Sequence, residues 1–339
     1  FTVTVTVNPQ PDVADQIATP VSSRAALGVT TLGSDTNGLV FSKYRIVDIN
    51  NNGLTAGSNN KVVTDVISEN GILNDTYINK TSVTVNVIYS IVPISEDGCE
   101  GAAFTVTVAI NPEPVVADQT AIVCSDEAIG VTLNPSSSVA VASYNIINTN
   151  ANGLQAGASN SIDAEIVSDG LENDSYTNNS NNPVDVVYTI VPVSSDGVEG
   201  EEFTLTVTVN PKPIVTVQEI EVCSGEELGV DFNASSTIGV DSYSITGILI
   251  DGTESITNIN VIDGFTTNSG NPVLGTQLSA NEISDDSFIN TTGASVEVVY
   301  TVVPYDAIGC NGDAFTVTVT VNPQPDVADQ IATPVSSRA

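Results

Sequence analysis

Four cysteines and a large surplus of acid are the residues of this chain best equipped for chemistry. Asp and Glu number 41 against 7 Lys and Arg, a formal charge of −34, and histidine is absent. Without histidine there is neither a Ser-His or Cys-His nucleophile nor an imidazole metal ligand. A carboxylate pair of the glycosidase kind would need two acids set apart from the rest, and none stands out from a repeated acidic background. The reading is therefore not an enzyme. Cys99, Cys124, Cys223 and Cys310 can bond to one another. Carboxylates could hold a hard cation such as calcium. The weak calcium candidates are Asp126, Glu127, Asp306 and Asp313, and a second acidic set recurs at Asn74-Asp75, Asn173-Asp174 and Asp285-Asp286. Neither has EF-hand spacing, and Asn and Asp are also common turn formers, so no cofactor is expected on firmer ground.

The cysteines must be placed by repeats. Residues 1–25 and 315–339 are identical, and the segment ending in Asn-Pro returns at Asn8, Asn111, Asn210 and Asn322. The units so defined are of roughly a hundred residues, enough for an independent core, whereas solenoid repeats run to about 20 to 50. The expected division is 1–9 as the last strand of a preceding repeat, domains at 10–111, 112–210 and 211–322, and 323–339 as the first strand of the next. The chain reads as a window from a longer repetitive protein, without a targeting signal or an apolar transmembrane run of its own. So acidic a surface argues against nucleic acid and against insertion in, or attraction to, an anionic membrane. It favours solubility.

Elements follow from periodicity. Phe203, Leu205, Val207 and Val209 alternate with Thr204, Thr206 and Thr208, the two-residue period of a strand with one buried face. Phe104 to Ile110 and Phe315 to Val321 repeat it. Just upstream, Val85 to Pro93, Val184 to Pro192 and Val296 to Pro304 each carry a tyrosine, and the intervening Gly-containing loop makes a hairpin. Earlier stretches at Val115 to Val123, Ile129 to Leu133, Ala142 to Ile147 and Ile162 to Val167 bring the count to about seven strands, which predicts an all-β, antiparallel sandwich of immunoglobulin type. Tyr44, Tyr144 and Tyr243 recur at the third strand as core aromatics. The linkers Asn8-Pro9-Gln10-Pro11, Asn111-Pro112-Glu113-Pro114 and Asn210-Pro211-Lys212-Pro213 favour a short extended conformation. Strand termination explains their first proline more easily than their second.

The pattern F-T-V-T-V-x-V/I-N-P-x-P, then V-A-D-Q, V-C-S-x-E-x-x-G-V, V-V-Y-T-I/V-V-P and D-G-C-E-G resembles the PKD-like, immunoglobulin-like tandem modules of giant surface adhesins in gliding bacteria of the Bacteroidetes type. The resemblance covers essentially the whole chain. It implies secretion to the cell surface, a filament-like molecule arranged as an extended rod of sandwich domains, and adhesion to a substratum during gliding. Departures are Val21, where the later units have Cys124 and Cys223, and Val198, where the others have Cys99 and Cys310.

Those departures constrain the disulfides. With the early position called the head and the hairpin position the loop, pairing within units leaves two cysteines stranded. Pairing each head with the loop of the following unit leaves none: Val21 meets Val198, Cys124 meets Cys310, and Cys223 meets the Cys99 of the adjacent period. A first strand rising about 3.3 Å per residue would carry the head to the pole facing the next domain. A Cys223–Cys310 bond inside the third unit and free thiols are the alternatives. Disulfides presuppose an oxidising compartment. The first junction, lacking cysteine, has Arg24 facing Asp196, Glu199, Glu201 and Glu202 as a possible ionic substitute. Isopeptide cross-links are disfavoured, because the second unit has no lysine between Pro114 and Asn210. Three roles are compatible: a stiff spacer whose partners are neighbouring repeats, a calcium- or carbohydrate-binding module, or lateral self-association into filaments. The insertion from Gly247 to Gln277 is the loop best placed to contact surface polysaccharide, although an additional hairpin is the simpler reading of it.

Overall fold

The computed structural model describes all residues except 37, 40, 236–237, 255–262, 268–273 and 326–339. All of the strand expected at 323–339 beyond residue 325, and much of the Gly247 to Gln277 insertion, thus lie outside the described residues. The fold is all-β, with a short 3-10 turn at Phe232–Ser235 and no α-helix among the described residues. No helix is long and apolar enough to cross a membrane.

Each unit is built on one long hairpin. Val85–Ser95 pairs with Phe104–Asn111, Val184–Ser194 with Phe203–Asn210, and Val296–Tyr305 with Phe315–Asn322, all antiparallel. The alternation read from sequence is the alternation observed, since Phe203, Leu205, Val207 and Val209 are buried while the threonines between them are half-exposed. In the second unit the main sheet runs in the order Glu165–Ile166, Val141–Asn150, Val184–Ser194, Phe203–Asn210, Gln119–Cys124, and a two-stranded sheet of Gln155–Ala156 and Tyr176–Thr177 covers it. The other units repeat the plan.

One feature departs from the antiparallel expectation. The first strand of every unit adds to the last strand in parallel: Gln119–Cys124 beside Leu205 to Asn210, and Gln218–Cys223 beside Val317 to Asn322. Both strands start at the pole facing the preceding unit and finish at the pole facing the next. We call these the leading and trailing poles. The first unit does the same in two pieces, Gln16–Ile17 and Val21–Ser22, with Pro20 between them lacking the ladder donor. Ile129 to Leu133, expected as a strand, is not one; only the bridge between Ala128 and Ser175 marks its start.

Three core clusters share no residue, spanning Val13 to Ile110, Val116 to Val209 and Val215 to Val321. Tyr44, Tyr144 and Tyr243 are buried and meet Phe104, Phe203 and Phe315 edge-on at 6.2, 6.2 and 6.4 Å. A second polar element is built into each core. Tyr89, Tyr188 and Tyr300 donate from Oη to buried Asp75, Asp174 and Asp286 at 2.7, 3.0 and 2.8 Å. Asn74, Asn173 and Asp285 lie in turns, as read from the sequence, and the Asp that follows each is a core acceptor, placed where a backbone or hydroxyl donor meets it.

Candidate functional site at the junctions between units

The residues singled out by sequence converge on the poles. At the second junction, Cys124 closes the first strand of the second unit opposite Asn210, at its trailing pole. Cys310 lies in the last hairpin of the third unit, at its leading pole. They are bonded, with an S–S distance of 2.03 Å and a Cα–Cα distance of 5.5 Å. Cys310 is thereby taken across the junction, so no Cys223–Cys310 bond exists within the third unit. Lys212, in the linker, adds ionic contacts to both sides: its Nζ lies 2.8 Å from Asp126 of the second unit and 3.0 Å from Asp313 of the third. Burial pushes the Asp126 carboxyl up, but hydrogen bonds from Lys212 and Thr177 outweigh it and leave the group below the ordinary carboxylate value. Lys212 is raised, chiefly by its hydrogen bond to Asp126.

The first junction has the same layout, with an acid in the linker and a cation on the preceding unit. Arg24 Nε and Nη2 donate to Glu113 at 2.8 and 3.0 Å, a two-pronged pair, and Ser23 Oγ donates to the same carboxylate at 2.6 Å. Glu113 is 0% exposed, so these partners replace the water its carboxylate has lost. Across the joint, Glu201 lies 3.7 Å from Arg24 Nη2 and pairs with Lys80. Of the four acids expected opposite Arg24, only Glu201 is within reach. Glu113 and Lys80 were missed because nothing in a lone linker acid or a surface lysine marks an ion pair. Val198 is 6% and Cys310 1% exposed, yet neither belongs to a domain core.

Register corrects one assignment. Ser22 stands opposite Asn111 as Cys124 does opposite Asn210 and Cys223 opposite Asn322, so the head of the first unit is Ser22 and not Val21. Val21 corresponds to Val123 and Val222, all packed on their cores. A slip of one residue in a strand exchanges its faces, which is why matching Val21 to the cysteines misplaced it.

The second proline of each linker has a structural partner. A Cβ built on Gly101, Gly200 or Gly312 would come within 2.1, 2.1 and 2.0 Å of the carbonyl oxygens of Pro11, Pro114 and Pro213. Only glycine lets the hairpin lie flat on the linker. Behind the linker a buried asparagine braces each trailing pole: Asn79, Asn178 and Asn290 donate from Nδ2 to the last strand at Ile110, Val209 and Val321, at 2.7, 2.8 and 2.8 Å. Their backbone N–H groups are accepted by Ser23, Ser125 and Ser224. Each asparagine opens an Asn-x-Ser/Thr triplet, but a side chain so used is not free to carry a sugar.

The calcium candidates do not assemble a cation site. Asp126 and Asp313 meet around the Lys212 ammonium. Asp306 Oδ1 accepts from the Ile308 and Cys310 N–H groups at 3.0 and 2.8 Å, closing the hairpin turn. Glu127 is exposed. Among the described residues no group of three or more acid or cysteine side chains is arranged to hold a metal. Cys99 is half-buried at the first leading pole and Cys223 exposed at the last trailing pole, both unbonded within this chain.

No curated protein matches the sequence. Among solved structures the chain is similar to Drosophila N-cadherin EC1-4, at 11% identity over 91% of this chain and 74% of that one, with a TM-score of 0.24. The chicken CNTN1 FN1-FN3 domains match at 12% over 89% and 98%, TM-score 0.30. The Clostridium thermocellum CbhA fibronectin(III)-like modules match at 14% over 63% and 96%, TM-score 0.23. The profile of the PKD-like domain matches three times, at residues 30–114, 121–213 and 220–325. By that threefold match over most of its length, the chain belongs to the PKD-like domain family.

Proposed function

We propose that this chain is a structural segment of a long, secreted cell-surface adhesin or filament, acting as a stiffened spacer. It holds an adhesive element away from the cell, in the setting of gliding motility that its repeat motifs suggest. The domain bounds are those of the repeat, with residues 1–9 completing a preceding unit and 323–339 beginning another. The observation that carries the reading is the Cys124–Cys310 bond between successive domains. A peptide linker alone leaves two domains free to swivel; a second tether at the same joint removes most of that freedom. The Cys223 of one period and the Cys99 of the next would add a second covalent joint, leaving the first junction ionic and the most compliant.

The bond also changes how tension travels. Force entering the second unit through its first strand passes at Cys124 directly to the last strand of the third. The 186 residues of sequence separation are bypassed. Single-molecule pulling on the oxidised chain should release roughly 600 Å less contour length than on the reduced chain, at about 3.3 to 3.6 Å per residue. Equal release in the two states would reject the spacer mechanism.

A second reading, binding of surface polysaccharide, draws on a groove of about 410 Å³ in the third unit lined by Asp241, Ser242, Gln277, Tyr305 and Asp306. The other units have Ile94-Ser95 and Val193-Ser194 in place of Tyr305-Asp306, so neither has the aromatic platform there. Glycan-array binding lost on Tyr305→Ala would favour it.

A further inference from the structure

The two junctions differ in a patterned way. Three positions meet at each: the residue after the buried serine, two places beyond Ser22 or Cys124 and taken below as the charged end of the head, the third residue of the Asn-Pro-x-Pro linker, and the residue following the close-packed hairpin glycine. At the first junction these are Arg24, Glu113 and Glu201. At the second they are Asp126, Lys212 and Asp313. Head and linker have exchanged sign together, and the linker residue is opposed in charge to its head in both. The third unit has Gly225 at the head and Gln324 in the linker, and the leading pole of the first unit has Ala102 after Gly101, so all three positions are uncharged there. The backbone supports the equivalence. Arg24, Asp126 and Gly225 share a positive φ, of 66°, 65° and 86°. A non-glycine side chain is rarely held so, and here the conformation aims the head at the linker.

We propose that these three positions form a polarity key by which each trailing pole accepts one kind of leading pole. The partner of the third unit's trailing pole is then an uncharged, cysteine-bearing leading pole, which is that of the first unit in another period. Near-duplicate neighbours in a long array are prone to misassembly and strand exchange. Here a wrong neighbour would set the buried Glu113 against Asp126, or the partly exposed Lys212 against Arg24, in each case like against like. The key concerns which units dock, and stands whether or not the array serves as a spacer.

The test uses a disulfide as a gauge. In the full chain with Cys99→Ser and Cys223→Ser, the Ser22→Cys/Val198→Cys pair occupies the positions of Cys124 and Cys310. Its equilibrium with glutathione then reports the effective concentration of the two poles of the first junction. Glu113→Lys, which sets two cations against each other, should lower that concentration by about tenfold or more, the scale of an uncompensated buried charge. Adding Arg24→Asp rebuilds the order of the second junction, Asp, Lys and Glu, and should restore it to within about threefold of the starting value. Glu113→Gln should fall between. The proposal is overturned if the double variant is no better than Glu113→Lys, if Glu113→Lys has no effect, or if the introduced cysteines fail to bond in the parent charge background.

Discussion

At the residue scale, function turns on side chains that look ordinary in sequence. The cysteine heads were legible as a pattern, but their register was not: a valine and a serine stand side by side at Val21-Ser22, and only the parallel ladder says which faces the neighbour. Ser22→Cys with Val198→Cys should therefore form a disulfide in air, and Val21→Cys with Val198→Cys should not, as peptide mapping would show. The buried Asp–Tyr pairs were hidden because an Asp before a hydroxyl or aromatic residue reads equally as a turn. They make the third unit sensitive to pH. Burial raises Asp286 from an ordinary 3.8 to about 7. A raised acid binds its proton more tightly folded than unfolded, so the penalty is absent below pH 3.8 and grows until about pH 7. The third unit should melt at a higher temperature at pH 5 than at pH 8, and Asp286→Asn should flatten that difference in calorimetry.

At the element scale, the hairpins were written plainly in the Val-Thr alternation, because a half-buried strand has no other way to satisfy both faces. The first strand was not. Its pairing in parallel with the last strand joins the two ends of each unit, and no local signal encodes a partner almost a whole domain away. That pairing is what carries each head to the trailing pole. The hairpin glycines show the same gap between composition and use: Gly312 belongs to a loop whose glycines mark only a hairpin, but what fixes it is the carbonyl of Pro213, about a hundred residues earlier. Gly312→Ala should destabilise the third unit by about 1 to 3 kcal/mol, the usual cost of overpacking. It should also lower the stability of the Cys124–Cys310 bond toward dithiothreitol, measurable by thiol titration. Gly309, with no atom within 4 Å of an added Cβ, is the control for packing, although its φ of 92° adds strain.

At the scale of the whole molecule, the two junctions within the chain are two grades of joint. The second has a disulfide, a linker cation and two carboxylates. The first has ion pairs in place of a disulfide, so it should loosen in high salt and in acid. Glu201 is held below its ordinary value by the Lys80 hydrogen bond, so its contribution is present at neutral pH and lost as acid protonates it. The second joint should keep its covalent tether through both treatments. The repeat count and the domain size made a string of beads readable from sequence. How firmly the beads are joined was not, since ionic partners such as Arg24 and Glu113 come together only once the linker folds against the pole. Small-angle X-ray scattering of the oxidised chain, with and without dithiothreitol, tests the central claim of fixed joints most directly. Profiles of a stiff elongated particle that broaden toward a jointed ensemble on reduction are the predicted result. Scattering of freely swivelling globules already present in the oxidised chain would contradict it.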